Sequence, residues 1–173
     1  MSATSTAVLA ARLAESADRF RDDPNAGVTR PSVTATLVNG HARLSSGPFN
    51  WESDLGPAVG GGNVAPSPTA YLLGALAGCG ALFLTETLAP QLGVTVTNVE
   101  ATASCRADLA GLLGVPGSDP ALTEIEMVVR VTSPDAPDRL DALFATWRQR
   151  CPIYLAISGA TPVSLDMASA DAS

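Results

Sequence analysis

Ser67-Pro-Thr-Ala-Tyr-Leu-Leu-Gly-Ala-Leu-Ala-Gly-Cys79-Gly-Ala-Leu-Phe83, continuing to about Pro90, is the stretch on which the reading of this chain turns. A serine hydroxyl can accept the first free backbone N–H groups of a helix, and proline fits the first helical position, where a missing N–H costs nothing. The Ser67-Pro68 pair therefore predicts that a helix begins here. Leu72, Leu76, Cys79 and Phe83 recur at spacings that place them on one face, while Gly74 and Gly78 leave little bulk on another. Both faces are expected to be buried, with the glycines letting a strand or a second helix approach closely. Such a helix is the core of its domain, and Cys79 lies inside.

Upstream, residues 4–21 carry Val8, Leu9, Leu13, Ala17 and Phe20 among charged residues, an amphipathic helix. Asp22 to Gly27 ends it. From Ser32 to Ser45 apolar and polar residues alternate with an interruption at Asn39-Gly40, which reads as one long strand, bent or bulged there. Ser46-Gly47-Pro48 is a turn, and the alternation of Phe49, Trp51 and Ser53 makes a hairpin. Gly56 to Pro66, with its Gly60-Gly61-Gly62 run, is a loop delivering the chain to the central helix.

Downstream, Val94, Val96, Val99, Ala101 and Ala103 predict a strand reaching about Arg106, and Leu122 to Thr132 a second, half-buried one. Leu109 to Asp119 is a glycine-punctuated excursion between them. Asp135 to Arg150 carries Leu140, Leu143, Phe144 and Trp147 on one helical stripe. Cys151-Pro152 interrupts it, a short helix follows to Ser158, and Pro162 to Leu165 reads as a final strand before a small polar tail. Hairpins rather than strand-helix-strand crossovers dominate this order, so the fold class is α+β. The chain is read as a single domain over residues 1–173, with an N-terminal helical extension over about residues 1–27.

A chain of 173 residues with 46% hydrophobic, 16% charged and 5% aromatic residues is globular and builds its core from small side chains. Its net charge of −7, with no basic cluster, argues against nucleic acid and anionic membrane as partners. The N-terminus lacks a basic segment followed by an apolar one, and no uninterrupted run approaches the length of a membrane span, so a cytoplasmic protein is expected. Three cysteines, an odd number, argue for reduced thiols rather than a disulfide framework. With one histidine, His41, no metal site is expected, and no cofactor is.

The thiolate is the reactive form of cysteine, and helix N-termini and cations favour it. Cys151 satisfies that rule, because it precedes Pro152 at the start of a new helix with Arg148 and Arg150 close by. Cys79, in mid-helix among leucines, satisfies it only if a cation is brought to it.

The segment from Ala65 to Cys79, preceded by Asp54 and Gly60-Gly61, resembles the central-helix signature of the osmotically inducible protein C and organic hydroperoxide resistance (OsmC/Ohr) superfamily. Asp108 to Gly111, the helix ending in Cys151-Pro-Ile, and Thr161-Pro-Val163 extend the resemblance over roughly residues 30 to 167. The resemblance implies antiparallel sheets around a long central helix and an intertwined homodimer. It further implies thiol-dependent reduction of organic or inorganic hydroperoxides, with Cys79 as the nucleophile, Cys151 as the resolving cysteine and a dithiol as reductant.

Peroxide-reducing members carry an acidic residue just after the proline matching Pro68, and a hairpin arginine that activates the nucleophile with it. This chain has Thr69 and Ala70 at the first place. At the second, Arg43 is the candidate replacement, with Arg30 behind it, and Glu86 is a substitute carboxylate on the face of Cys79. The alternative is a non-catalytic OsmC-like protein that binds a small molecule or serves as a scaffold, lacking the activating Arg/Glu pair.

Overall fold

The computed structural model describes residues 3–159 and 161–167, with side chains from residue 6 onward. Helix α1 (Ala3–Asp22) leads through a 3-10 turn (Pro24–Gly27) into three strands, β1 (Thr34–Val38), β2 (His41–Ser46) and β3 (Phe49–Ser53). The central helix is continuous but not uniform. It comprises α2 (Pro68–Leu82), a π-helical segment (Phe83–Leu88) and α3 (Ala89–Leu92). Then come β4 (Asn98–Arg106), a short α4 (Leu109–Leu112), β5 (Thr123–Thr132), α5 (Pro137–Arg150) and α6 (Pro152–Ser158).

The central helix begins as the sequence dictates, with the Ser67 hydroxyl accepting the Ala70 N–H at 3.2 Å and Pro68 in the first turn. Its widening has a local cause. Proline has no N–H to give and its ring collides with the carbonyl four residues back, so Pro90 cannot join a regular α-helical ladder. The π-helical segment lies just before it, and the Ala89 N–H reaches back to the Leu84 carbonyl.

One face of this helix packs on an antiparallel pair. β4 and β5 alternate half-buried and exposed residues along their length, and Ala103, Ile125, Met127, Val129 and Val131 pack against the core. That core, Leu76, Leu84, Leu88, Ala89, Val94, Leu143, Trp147 and Cys151, joins the central helix to α5 and the start of α6. Arg139 pins α5 to the helix end, donating to the Leu92 and Gly93 carbonyls at 3.0 and 2.6 Å.

Four expectations change. The strand read over Ser32 to Ser45 is two strands, because Asn39 and Gly40 both take positive φ (52° and 86°), the geometry of a tight two-residue hairpin rather than a bulge. The strand read from Val94 begins only at Asn98. Pro162 to Leu165 is irregular and exposed rather than a strand, and the polar tail from residue 168 lies outside the described residues. Gly80, rather than Gly74 or Gly78, takes the close approach. A Cβ at Gly80 would overlap the Met127 methyl, whereas at Gly74 and Gly78 it would meet nothing within 4 Å. The glycine face is thus open in the single chain instead of buried.

The β1–β2–β3 sheet touches the rest chiefly at one end. Ser53 Oγ donates to the Pro66 carbonyl at 2.9 Å and the Tyr71 hydroxyl to the Glu52 carbonyl at 2.6 Å. Elsewhere it stays uncovered, with Leu37 76% and Phe49 70% exposed.

Leu143, fully buried at the α5 contact, is expected to cost about 2–5 kcal/mol when replaced by alanine, read as a shift in the urea midpoint. Gly61→Ala should cost clearly more than Gly80→Ala. The added methyl at 61 overlaps the Leu55 backbone carbonyl, while at 80 it meets the mobile end of Met127. Equal losses would contradict this packing.

Candidate active site

Cys79 sits in the last turn of α2 with its side chain toward the corner between α5 and α6. Cys151 forms that corner. Its N–H closes the last turn of α5 on the Trp147 carbonyl at 2.8 Å, and Pro152 then starts a new helix. The Cys151 sulfur accepts the Tyr154 N–H at 3.5 Å as the cap of α6, as its place before Pro152 implied.

The two Sγ atoms are 2.6 Å apart, so a bond of about 2.05 Å needs only a small movement. Cys151 is completely buried and Cys79 is partly exposed. Trp147 joins the pair from the side. Its Nε1–H points at the Cys79 carbonyl at 3.3 Å, and its ring lies 5.3 Å from that of Tyr154. Sequence reasoning placed Trp147 in the core stripe and missed this contact. A buried indole N–H, which needs a partner, was the available signal.

Burial pushes the Cys79 thiol up to about 12, and the neighbouring Cys151 adds to the rise, against a smaller opposing pull from the Ile153 N–H. No guanidinium takes part. Arg43 is on β2, exposed, with its Nη2 4.0 Å from Glu52 Oε1, and His41 Nε2 approaches the same oxygen at 3.5 Å. The structure of one chain therefore brings Cys79 and Cys151 together and leaves Arg43 apart. Glu86 is exposed on the π-helical segment, and Cys105 is half-buried on β4 opposite an irregularity in its pairing with β5. Among the described residues no three metal-ligating side chains converge.

A cavity of about 720 Å³ opens between the sheet and α5–α6, walled by Leu76, Ile125, Met127, Phe144, Trp147 and Tyr154. Its size suits a small organic molecule. Trp147 and Tyr154 belong both to this wall and to the cysteine pair.

A family model described as OsmC-like protein matches residues 60–166, a span holding both cysteines and the whole central helix. The chain belongs to the OsmC-like family. Its fold is similar to solved structures of that kind. An OsmC-like protein from Mycoplasma pneumoniae superimposes with a TM-score of 0.64 at 21% identity, covering 77% of this chain and 90% of that one. An organic hydroperoxide resistance protein OsmC from Legionella pneumophila gives 0.57 at 18% identity, over 77% and 92%. An organic hydroperoxide resistance protein from Elizabethkingia anophelis gives 0.58 at 15%, over 76% and 90%. No curated protein matches the chain.

In this OsmC-like chain the loop before the central helix is organised by a buried carboxylate. Asp54 accepts the Leu55 N–H at 2.7 Å and the Gly62 and Val64 N–H groups at 3.0 Å each. The Val64 contact above all holds its carboxyl below the usual range, against the burial that pushes it up, with Leu55, Gly62 and His41 adding to the fall. A lowered carboxyl stabilises the fold above its unfolded pKa, and that stability is lost as the pH falls through the folded one. Asp54→Asn turns one acceptor into a donor facing these N–H groups. Its thermal midpoint should lie below the parent's at pH 7, and the two should converge in acid below the carboxylate range. A gap that persists unchanged in acid would show that the charge is irrelevant.

Proposed function

We propose that this chain is a thiol-dependent hydroperoxide reductase acting as an intertwined homodimer. The observation that carries the reading is the Cys79–Cys151 pair, two sulfurs 2.6 Å apart with one reachable from solvent and the other sealed. In the proposed cycle the Cys79 thiolate attacks a peroxide oxygen, the O–O bond breaks, and the alcohol leaves with a proton, giving the sulfenic acid. The Cys151 thiol displaces water from that sulfenic acid to form the disulfide. A dithiol then returns both cysteines to thiols and is itself oxidised.

A thiol held near 12 is almost wholly protonated at neutral pH, so the cycle needs a cation at Cys79. In this reading a second copy supplies it. Support comes from the uncovered surfaces: the β1–β2–β3 sheet stands away from the body carrying exposed Arg43, and the Gly74–Gly78 face of the central helix has open space before it. By length and composition alone the helix Pro68–Leu92 could cross a membrane. The proposal assigns its bare face to the second copy. The rival reading, a non-catalytic binding protein, is favoured by the raised Cys79 pKa and would use the cavity beside Trp147.

Steady-state reduction of an alkyl hydroperoxide with a dithiol separates the two. Cys79→Ser should abolish turnover, and Arg43→Ala should slow it about tenfold or more while raising the pH at which Cys79 is alkylated, since a neighbouring guanidinium shifts an acid by about a unit or more. If the parent is no faster than Cys79→Ser, the binding reading replaces the enzyme.

Sedimentation should give about twice 17.6 kDa. Gly74→Ala offers a sharper check. On a free helix surface the added methyl stabilises by about 0.5–1 kcal/mol, whereas against a second copy it should weaken the dimer. A monomer stabilised by Gly74→Ala would refute the assembly.

A further inference from the structure

We propose that Trp147 is a positioning residue for the Cys79–Cys151 couple, fixing both cysteines through one side chain and its own backbone. The inference rests on the pair acting as a redox couple. The indole Nε1–H donates to the Cys79 carbonyl at 3.3 Å, while the Trp147 carbonyl accepts the Cys151 N–H at 2.8 Å. A single residue thus bridges the two helices that must stay in register for the sulfurs to meet. The indole face adds a third tie, packing on Tyr154, whose N–H points at the Cys151 sulfur.

Two further observations separate this from ordinary core packing. Leu140, Leu143 and Phe144 share the helical stripe of Trp147 and bring no polar atom to the interior, so apolar filling alone does not call for an indole. The Cys79 carbonyl also lies at the junction where the regular helix gives way to the π-helical segment, with the Phe83 N–H its backbone donor. An added donor from α5 holds the nucleophile-bearing turn where the ladder changes pitch. π-helical turns recur at functional sites, and this one begins at Phe83, one turn after Cys79.

The test is thiol–disulfide equilibrium with glutathione, in which the two protein thiols and oxidised glutathione give the protein disulfide and two reduced glutathiones. A Cys105→Ser background keeps the third thiol silent. Trp147→Phe keeps a ring and removes the donor. Its equilibrium constant should fall about fivefold, the effect of one net hydrogen bond, and more Cys79 should reach the sulfinic acid when peroxide is added. A core control without the donor, Phe144→Leu, should leave the constant within twofold. An unchanged constant in Trp147→Phe, or an equal fall in the control, overturns the proposal.

NMR of the parent needs no variant. The Trp147 indole N–H should exchange slowly with solvent and shift between the reduced and disulfide forms, with Trp51 as internal reference, and fast exchange in both forms also overturns the proposal. Should the parent equilibrate with glutathione but never reduce peroxide, a fivefold fall in Trp147→Phe still supports positioning while the enzyme reading fails.

Discussion

A long helix without a polar face has to be covered on every side, and that requirement governs this molecule. Burial of apolar side chains contributes about 1.5–3 kcal/mol each, so the strongest forces in the chain act to bring cover to the central helix. Its own chain supplies part of it. β4 and β5 close on the Gly80 face, and α5 closes on Leu84 and Leu88 through Leu143 and Trp147. The cysteine pair exists because of this arrangement, since Cys79 is on the helix that is covered and Cys151 at the corner of what covers it.

The same burial creates the chemical difficulty of the site. Removing Cys79 from water raises its thiol, and a second thiol against it raises it further. Geometry suited to making a disulfide is therefore geometry that suppresses the thiolate. The exposed arginine of β2, Arg43, takes no part in this shell and pairs with Glu52 on the surface instead. At 4.0 Å and largely exposed, that pair contributes little by itself.

Much of this was legible in the residues. Ser67-Pro68 announced the helix start, period-two alternation announced β5, and Cys151-Pro152 announced a capped corner, because each depends on near neighbours in sequence. Features set by long-range packing were not legible in the same way. Which glycine meets the sheet depends on the angle at which β4–β5 lies across the helix, so the sequence does not single out Gly80 over Gly74 and Gly78. Asn39-Gly40 reads as a bend or bulge because its alternating flanks continue through it, although two adjacent residues able to take positive φ favour a tight turn. The π-helical segment has no periodic signature of its own. Trp147 is one more member of an apolar stripe in the sequence, and only the fold turns its nitrogen toward a carbonyl.

The uncovered three-stranded sheet also bears on how the protein is made. It lies ahead of the central helix in the chain, so a ribosome releases these strands first, with both outer edges unpaired and Leu37 and Phe49 facing water. Among the described residues, nothing synthesised later in the same chain shields them. Exposed strand edges are templates for unwanted pairing, so crowding of nascent chains and high expression both favour aggregation. Yield of soluble protein should then depend on translation rate and temperature more steeply than the stability of the finished fold would suggest.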